Sequence, residues 1–341
     1  MLVVHAGTPK TGTKALQSFL SRNAKQLAEQ GIRYLESGRH SERHKRLNLS
    51  HSALVKLLQI ESGREAWKDL RAEVEQSTCH TNVMSAEGFW FSDPVRLRAE
   101  LPQSQPVRLV VYLRRQDQYL QSLWKQAVVG GRKHSFDEWR RRKPTNGDYL
   151  STVEKWADLF GPDSIVIRPY EKEGKVNTVE DFCEILGVTG SFDTENTGRN
   201  PSPRRELAYL LRAINNTGPD LYIDRHRLYR AIIARSEEYV RTCDMLSYAD
   251  SVALMDEYAE GNRILSEKYY RGGHGALFPA LSPFEPEDIW DAESEQFGQL
   301  TTNVAEVLVG FIARGEIWAM GNPAEQRNSQ INAHESLGSE A

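Results

Sequence analysis

Near its start, the chain reads Val3-Val4-His5-Ala6-Gly7-Thr8-Pro9-Lys10-Thr11-Gly12-Thr13-Lys14-Ala15-Leu16. An apolar run opens this stretch, and a turn of glycine, proline and small hydroxyl residues follows it. As far as Gly31, apolar residues then recur at helical spacing: Leu16, Phe19, Leu20, Ala24 and Leu27. The stretch therefore predicts a strand, a tight loop and a helix, and this unit decides the fold class.

The loop between the predicted strand and helix has the composition of a phosphate-binding turn. Backbone N–H groups at a helix N-terminus have no partner inside the helix, and the positive end of the helix dipole lies there. Glycines let the backbone approach a ligand closely, while Lys10 and Thr13 can add a charge and a hydroxyl. An ordinary glycine-containing turn between a strand and a helix is the other interpretation of these residues.

The nearest related motif is the P-loop of enzymes that bind nucleoside triphosphates. That motif places four residues between two glycines and follows the second glycine with Lys and Ser or Thr. Gly7 and Gly12 have the required separation, but Thr13-Lys14-Ala15 follows them. The lysine is displaced, and no hydroxyl residue follows it to hold magnesium. The stretch favours a phosphate loop over a magnesium-triphosphate site, and a kinase that uses Mg-ATP is the alternative function.

The composition describes a globular protein and excludes several classes of partner. The net charge of −4 gives no global electrostatic basis for binding nucleic acid. No run of 18 apolar residues is present, so we expect a cytoplasmic protein without an integral membrane segment. The cysteines, Cys79, Cys183 and Cys243, lie far apart. Their spacing fits a reducing compartment and supports neither a zinc site nor a disulfide framework.

Strand and helix patterns alternate over roughly the first 190 residues. Strands are predicted at 32–35, 81–88, 107–113 and 165–168, and helices at 52–58, 64–76, 116–129, 149–160 and 179–186. This alternation predicts an α/β fold with a P-loop-type parallel sheet flanked by helices. Helical periodicity dominates afterwards, at 206–215, 225–241, 251–270 and 301–320.

The domain prediction follows from these patterns. We expect a single domain over residues 1–320, with a helical subregion at 200–280. Residues 321–341 are polar and lack large apolar side chains other than Ile331 and Leu337, which is typical of a disordered tail.

Three predicted strand ends carry candidate site residues. In open α/β sheets, ligands bind beyond the carboxyl ends of the strands. Lys10 follows the first strand, Glu87 the third and Arg114 the fourth. Ser122 lies eight residues after Arg114 in the next predicted helix, and a guanidinium and a hydroxyl can hold one phosphate together. Arg115 competes for this role, because adjacency leaves open which arginine faces the site.

Glu87 and a basic segment earlier in the chain each allow more than one interpretation. Glu87 ends a strand and precedes a glycine, so it is either a cap or ion-pair partner for the next turn, or a general base beside a phosphate loop. The segment 37–51 is rich in Arg, Lys and His. It is either a solvated loop or a positively charged lip that attracts an anion.

The candidate residues resemble those of the sulfotransferases that use 3′-phosphoadenosine 5′-phosphosulfate. Pro9-Lys10-Thr11-Gly12-Thr13 looks like the family's 5′-phosphosulfate loop, with Lys14 in place of a second threonine and Leu16 at the apolar position. Tyr112-Leu113-Arg114-Arg115, continuing to Ser122, looks like the 3′-phosphate motif. Ser85-Ala86-Glu87 is similar to the strand end that carries the catalytic glutamate in the carbohydrate-modifying branch. A looser similarity extends over most of residues 1–280.

The resemblance implies a bacterial, carbohydrate-sulfotransferase-like enzyme that needs no metal. It implies that Glu87 takes the acceptor proton and that Lys10 neutralises charge on the bridging oxygen. The resemblance also implies a set of donor-binding residues: Lys10, Thr11, Gly12, Thr13, Lys14, Arg114, Ser122 and Arg199. For Arg199, a polar linker between the sheet and the later helices is the other interpretation. The expected acceptor is a hydroxyl on a carbohydrate or glycolipid, and an inactive binding or scaffold protein of the same fold is a third possibility.

Overall fold

The computed structural model describes thirteen stretches of the chain: residues 1–41, 46–58, 60, 63–170, 177–190, 192, 205–216, 221–223, 225–235, 245–270, 275–283, 295–314 and 317–319. The chain forms two compact units. The first comprises Met1–Leu120, Lys143–Asn200 and Tyr248–Pro283. The second comprises Gln121–Arg142, Pro201–Ser247 and Phe284–Ala341.

The described elements alternate between strand and helix in the first half of the chain. In chain order the strands are β1 Leu2–His5, β2 Ile32–Tyr34, β3 His40–Ser41, β4 Arg46–Leu47, β5 Thr81–Ser85, β6 Val107–Arg114, β7 Ile165–Tyr170, β8 Leu221–Ile223 and β9 Ile317–Ala319. The helices are α1 Thr13–Arg22, α2 Ala24–Glu29, α3 Ser52–Leu57, α4 Arg64–Gln76, α5 Pro94–Glu100, α6 Gln116–Val129, α7 Phe136–Arg142, α8 Tyr149–Phe160, α9 Thr178–Leu186, α10 Arg205–Asn216, α11 Arg225–Arg235, α12 Tyr248–Glu257, α13 Ala259–Tyr269 and α14 Glu295–Ala313.

A five-stranded parallel sheet forms the centre of the first unit. Its strand order is β2-β5-β1-β6-β7, so β1 lies in the middle and β2 and β7 form the edges. This sheet and the helices around it confirm the predicted α/β fold class. All four residues of β1 are buried, as expected for a parallel strand with both faces covered.

The hydrophobic core of this unit joins the sheet to α1 and α9. Val3, Val83 and Val110 come from three neighbouring strands. Phe19 of α1 and Phe182 of α9 pack against them, and both are at most 1% exposed. Apolar side chains spaced at helical intervals in α1 therefore hold the helix onto the sheet, which fixes where its N-terminus lies.

The helix predicted to continue to Gly31 is in fact two helices. α1 ends at Arg22 and α2 begins at Ala24, with Asn23 between them. The Asn23 side-chain amide and backbone N–H both donate to the carbonyl of Phe19, each over 3.0 Å. Asparagine competes for backbone hydrogen bonds in this way and interrupts the helix.

Two predictions for the later helices also need correction. The helix predicted over 251–270 is divided at Tyr258 into α12 and α13. The helix predicted over 301–320 is wrong at its end, because α14 ends at Ala313 and Ile317–Ala319 forms a strand. That strand, β9, pairs antiparallel with β8, and its isoleucine and tryptophan are residues that favour strands. The predicted tail 321–341 lies outside the described residues.

The second unit is mainly helical. Trp124 of α6 packs against Phe136 and Tyr209, with ring centroids 6.3 and 5.7 Å apart. The Asn215 side chain of α10 donates to the carbonyls of Val128 and Arg132 over 2.8 and 3.1 Å. Within the described segments of both units, no helix combines the length and the apolarity needed to cross a membrane.

Candidate active site

Three neighbouring strands bring their carboxyl ends to one edge of the sheet. His5 of β1 lies beside Ser85 of β5 on one side and Val110 of β6 on the other. The loop after β1 carries Lys10, and Glu87 comes two residues after the end of β5. Arg114 is the last residue of β6. The topology thus places the predicted phosphate loop between the candidate base and the candidate arginine.

The loop after β1 has an unusual backbone that is tied to β6. Gly7 and Gly12 have φ angles of 100° and 76°, and Lys10 has a φ of 68°, which is uncommon for a residue with a side chain. The backbone N–H and the hydroxyl of Thr8 both donate to the carbonyl of Tyr112, over 2.9 and 3.0 Å. These bonds hold the loop against the neighbouring strand.

Gly7 lies directly against the backbone of Glu87. A Cβ atom at Gly7 would be 3.1 Å from both the Cα and the carbonyl oxygen of Glu87. The positive φ at Gly7 independently disfavours a side chain. Glycine is therefore needed here because two strand ends approach each other closely.

The hydroxyl groups of the loop threonines are already hydrogen-bonded within the protein. Thr11 Oγ1 donates to the carbonyl of Thr8 over 2.5 Å, and Thr13 Oγ1 donates to Glu87 Oε2 over 2.9 Å. These bonds shape the loop and hold the carboxylate, and the phosphate contacts that the resemblance implies for the two threonines stay a prediction. The backbone N–H groups at the start of α1 are further donors that can face an anion.

The start of α1 has no side-chain cap. Gly12 takes the N-cap position, in the left-handed region, and accepts no capping bond because it has no side chain. Thr13 and Lys14 are the first two helical residues, and helix geometry leaves their N–H groups without an intrahelical acceptor. The Lys14 side chain is exposed. This end of the helix presents N–H donors and a positive dipole at the edge of the sheet.

Lys10 lies in the combined electric field of the other candidate residues. Burial lowers the pKa of the Lys10 ammonium below its ordinary value of 10.5, and the charges of Lys14 and Arg114 lower the pKa further. The charge of Glu87 acts in the opposite direction and raises the pKa. The structure therefore brings Lys10, Glu87 and Arg114 within electrostatic reach of one another.

The two consecutive arginines after β6 have different surroundings. Arg114 Nε donates to Gln118 Oε1 over 3.2 Å, and the Arg114 carbonyl accepts from the Tyr149 hydroxyl over 2.7 Å. Arg115 forms a two-point ion pair with Asp117, over 2.8 and 3.0 Å. Of the two, Arg114 is the one whose charge acts on Lys10.

Arg115 instead lines a cavity of about 640 Å³ in the first unit. The rest of the lining comes from α12, α13 and residues 275–281. Lys10, Glu87 and Arg114 are not among the lining residues. This cavity is therefore separate from the edge where the loop, the carboxylate and Arg114 meet.

The described contacts do not test two of the predicted donor-binding residues. Ser122 is half-buried in α6 and belongs to the second unit. Arg199 lies outside the described residues. Their roles stay predictions from the resemblance.

The sequence analysis did not predict which residues pack against the phosphate loop near α9. A Cβ atom at Gly12 would lie 3.2 Å from Thr178 Oγ1 and 3.5 Å from the Tyr170 ring. α9 is itself tied to the sheet, because Asp181 accepts from the Tyr112 hydroxyl over 2.6 Å and from Arg168 over 3.1 Å. The only sequence signal for this region is Asn177, a typical helix N-cap, which shows where α9 begins but not what it touches.

Part of the basic segment 37–51 is structural. The Arg39 guanidinium is buried and donates to Leu35, Asn48 and Ser21, and it lies 4.1 Å from the Tyr34 ring centre. His51 is fully buried, and burial lowers its pKa to about 3. Arg39 and His51 are therefore neither solvated nor part of a charged surface, in contrast to both interpretations of the segment. Residues 42–45 lie outside the described residues.

The comparisons with known proteins give distant similarities. No family model matches the chain. A 172-residue stretch is 26% identical to an uncharacterized protein of Archaeoglobus fulgidus, and it covers 48% of this chain. The chain spans about half of that relative, since the match covers 46% of the relative's length.

Solved structures of sulfotransferases are also similar to the chain. The sulfotransferase from Alicyclobacillus acidocaldarius is 17% identical, with a TM-score of 0.36, and the match covers 67% of this chain and 94% of that one. The sulfotransferase domain from the curacin biosynthetic pathway is 14% identical, with a TM-score of 0.31, over 56% of this chain and 74% of that one. Both TM-scores are below 0.5.

Proposed function

We propose that the protein is a sulfotransferase that moves a sulfuryl group from 3′-phosphoadenosine 5′-phosphosulfate to an acceptor hydroxyl, on a carbohydrate or glycolipid. The observation that carries this proposal is the grouping of Lys10, Glu87 and Arg114 around the N-terminus of α1. A donor with phosphates at both its 3′ and 5′ positions needs two cationic sites. The Lys10 loop would hold the 5′ end, and Arg114, with Ser122, would hold the 3′-phosphate.

The proposed reaction is an in-line transfer. The acceptor oxygen forms a bond to sulfur while the bond from sulfur to the 5′-phosphate oxygen breaks. Glu87 takes the acceptor proton, and Lys10 compensates the negative charge that develops on the leaving oxygen. The N–H groups of Thr13 and Lys14 would face the 5′-phosphate from the helix end.

The lowered pKa of Lys10 supports this assignment. Burial and two neighbouring cations make the folded protein a poor environment for the Lys10 ammonium. An anionic ligand beside Lys10 would relieve that repulsion, so ligand binding and retention of the proton on Lys10 favour each other. Hydroxyl-bearing side chains already fix the loop, so the ammonium has a preorganised position in which to act.

Binding of adenosine 3′,5′-bisphosphate, the product of the donor, tests the proposal. We expect this compound to raise the melting temperature of the protein, and Mg-ATP to raise it much less at the same concentration. Equal or stronger stabilisation by Mg-ATP would favour a kinase. Arg114→Ala should weaken the bisphosphate affinity by about 10- to 100-fold, as expected for loss of a charge-assisted contact.

Arg115→Ala is the matched control for the binding experiment. Arg115 is the next residue in the chain and carries the same charge. It is paired with Asp117 and lines the 640 Å³ cavity, which Arg114 does not line. We expect its removal to change the bisphosphate affinity by less than about threefold, within the range of a screened distant charge. Equal losses in the two variants would refute the specific role of Arg114.

Transfer itself is tested with radiolabelled donor against a panel of glycans, glycolipids and small phenols. Glu87→Gln should reduce the rate by at least about 10²-fold while leaving bisphosphate affinity unchanged, because a general base acts on the acceptor and not on the donor. Full activity in this variant would remove Glu87 from the mechanism. Labelling of phenols alone would contradict the proposed acceptor class.

A further inference from the structure

Phe91 is a large aromatic side chain that lies on the surface next to the candidate site. It is 54% exposed, and among the phenylalanines and tryptophans whose side chains the structure describes it is the only one that is mostly exposed. Val95, at the start of α5, is 60% exposed. Single exposed apolar residues are common, but an adjacent pair beside a candidate catalytic group indicates a surface for contact with a ligand.

The turn that carries Phe91 also carries the proposed base. Glu87 is the first residue of this short 3-10 turn and Phe91 is the last. The two aromatic residues between them, Phe89 and Trp90, are buried, and the Phe89 ring packs against Trp67 with centroids 6.3 Å apart. Burial of these two rings fixes the turn on the core, so the exposure of the third ring does not come from a loose segment.

Backbone contacts hold the end of the turn in place. The Ser92 N–H donates to the Phe89 carbonyl over 3.0 Å, and the Ser92 hydroxyl donates to the Gly88 carbonyl over 3.2 Å. A Cβ atom at Gly88 would lie 2.9 Å from Val55 Cγ1, so α3 packs directly on the backbone of the turn. The backbone position of Phe91 relative to Glu87 is therefore fixed from both sides.

The separation between the proposed base and Phe91 is short. A 3-10 turn rises by about 2 Å per residue, so the Cα atoms of Glu87 and Phe91 are about 8 Å apart along the turn axis. Glu87 is exposed as well. A ligand whose reacting hydroxyl lies at Glu87 therefore needs to extend by only about this distance to contact the Phe91 ring.

The polar side chains that follow Phe91 in the chain already form hydrogen bonds within the protein. The Ser92 hydroxyl donates inside the turn, and Asp93 accepts from the Val95 N–H over 2.9 Å and lies 3.7 Å from Arg96. The hydroxyls of a sugar ring need hydrogen-bonding partners when they leave water, whereas an alkyl chain needs only apolar area. This surface therefore favours an alkyl chain over a second sugar ring.

We propose that Phe91 and Val95 form an apolar acceptor subsite, and that the acceptor carries an alkyl chain that lies across these two side chains while its reacting hydroxyl is at Glu87. The inference rests on the proposed sulfotransferase function and narrows the acceptor class from carbohydrate or glycolipid to glycolipid. Phe91 and Val95 determine specificity and take no part in proton transfer. Covering them with an alkyl chain provides binding energy that a free sugar does not have.

The test measures transfer of radiolabelled sulfate to alkyl β-glucosides and β-galactosides with methyl, butyl, hexyl or octyl chains. Each acceptor is used below its critical micelle concentration, so that attraction to a micelle or membrane does not contribute. For the wild type we expect kcat/KM to rise by about two- to threefold per added methylene, below the roughly fourfold of complete burial. A value of kcat/KM that is independent of chain length would overturn the inference.

Phe91→Ser removes the apolar ring from the proposed subsite. The ratio of kcat/KM for the octyl acceptor to that for the methyl acceptor should fall by at least about tenfold. The melting temperature should stay close to that of the wild type, because the substituted side chain is exposed. A structural role for Phe91 would change the rates for both acceptors equally, so an unchanged ratio contradicts the inference.

Ile312→Ser is the matched control, since Ile312 is 59% exposed on α14 in the second unit. It should leave the octyl-to-methyl ratio at the wild-type value, and an equal loss in both serine variants would refute a specific role for Phe91. Phe91→Leu keeps the apolar area and removes the flat ring. Its ratio should stay within about threefold of the wild type. A loss as large as in Phe91→Ser would indicate a stacked sugar ring in place of the alkyl chain.

Binding gives a readout that does not depend on turnover. In titration calorimetry with the protein saturated with adenosine 3′,5′-bisphosphate, octyl glucoside should bind at least about tenfold more tightly than methyl glucoside. Equal affinities would overturn the inference. A wild type that binds the bisphosphate and sulfates both acceptors equally well would refute the inference alone. If it neither binds the bisphosphate nor transfers sulfate, the proposed function fails and the inference fails with it.

Discussion

The Thr13 hydroxyl donates a hydrogen bond to Glu87 Oε2 over 2.9 Å, which joins the first turn of α1 to the end of β5. The two residues are 74 positions apart in the chain. Thr13 is buried and Glu87 is exposed, so the helix end provides a fixed anchor for a side chain that would otherwise be mobile. The loop that is proposed to bind the donor therefore also orients the proposed base.

Thr13→Val tests whether this bond orients the base. Valine keeps the shape of threonine and removes the donor, so we expect turnover to fall by about tenfold or more, in line with loss of a hydrogen bond to a charged group. Bisphosphate affinity should change little, because the backbone N–H of residue 13 is retained. Thr13→Ser is the control, since it restores the hydroxyl and should restore turnover. Equal turnover in the valine and serine variants would exclude an orienting role.

Lys10→Met should separate stability from activity. Because burial lowers the pKa of Lys10, the unfolded chain holds this proton more tightly than the folded protein does. Lys10 therefore opposes folding at neutral pH, and this penalty disappears as pH rises from the lowered pKa towards 10.5. We expect the methionine variant to melt at a higher temperature at pH 7 and to lose transfer by about 10²- to 10³-fold. Denaturation across pH 7 to 10.5 measures the first effect.

The control for Lys10→Met is the same substitution at Lys25, an exposed residue of α2. Lys25→Met should leave both the melting temperature at pH 7 and the transfer rate close to the wild type. A methionine variant at position 10 that is less stable than the wild type at neutral pH would contradict the burial argument.

Gly7→Ala tests the close approach between β1 and Glu87. The variant must adopt a left-handed φ and must also place a Cβ atom 3.1 Å from the Glu87 backbone. Gly187→Ala is the matched control, because Gly187 also has a positive φ but nothing lies within 4 Å of its Cβ position. We expect the control to lose about 1 kcal/mol of stability and Gly7→Ala to lose at least about 1 kcal/mol more. Urea denaturation gives the free energy of unfolding of both variants. Equal losses of stability would mean that the contact with the Glu87 backbone contributes nothing.

Two buried histidines predict a loss of stability in weak acid. Burial lowers the pKa of His5 and of His51 to about 3, whereas the ordinary pKa of histidine is 6.5. The unfolded chain takes up protons on both residues below pH 6.5 and the folded protein does not, so stability falls as pH drops from 6.5 towards 3. Together the two histidines give the free energy of unfolding a slope against pH of up to about 2.7 kcal/mol per pH unit. In His51→Gln, half of this slope should disappear between pH 6.5 and 5, and an unchanged slope would contradict burial of a neutral His51.

Much of the fold and the main loop follow from local patterns. β1, the Gly7–Gly12 loop and α1 are contiguous, and their apolar periodicity and glycines are sufficient to predict strand, turn and helix. The alternation of strands and helices then requires a parallel sheet, and a parallel sheet brings its strand ends to one edge. That is why the sequence alone predicts that Lys10, Glu87 and Arg114 lie at the same edge of the sheet.

What the sequence left open depends on contacts between distant segments. Nothing near Asp181 indicates that its carboxylate joins Tyr112 to Arg168, because those partners lie on two other elements. Burial of Arg39 was unexpected, since an arginine among other basic residues usually faces solvent. The Tyr119 hydroxyl, which has no hydrogen-bond partner within the described part of the chain, cannot be recognised from a helical pattern, where tyrosine looks like any other core residue.

Local competition accounts for the misplaced helix boundaries. Asn23 interrupts α1 and α2 through its own side-chain bonds to Phe19, and β9 exists because β8 offers it a partner. In each case the apolar spacing alone is compatible with a continuous helix. Competing side-chain hydrogen bonds and pairing with a distant strand decide where the helix ends. Neither can be read from the spacing of the apolar residues.

The central position of β1 has a consequence for biosynthesis. Leu2 pairs in register with Asn82 and Val107, which leave the ribosome 80 and 105 residues later. Until then, a strand of apolar residues is exposed on both edges, the kind of segment that recruits chaperones or aggregates. Folding of this unit must therefore proceed late in translation, and slowing elongation downstream of β6 should raise the yield of folded protein more than slowing it upstream of β5.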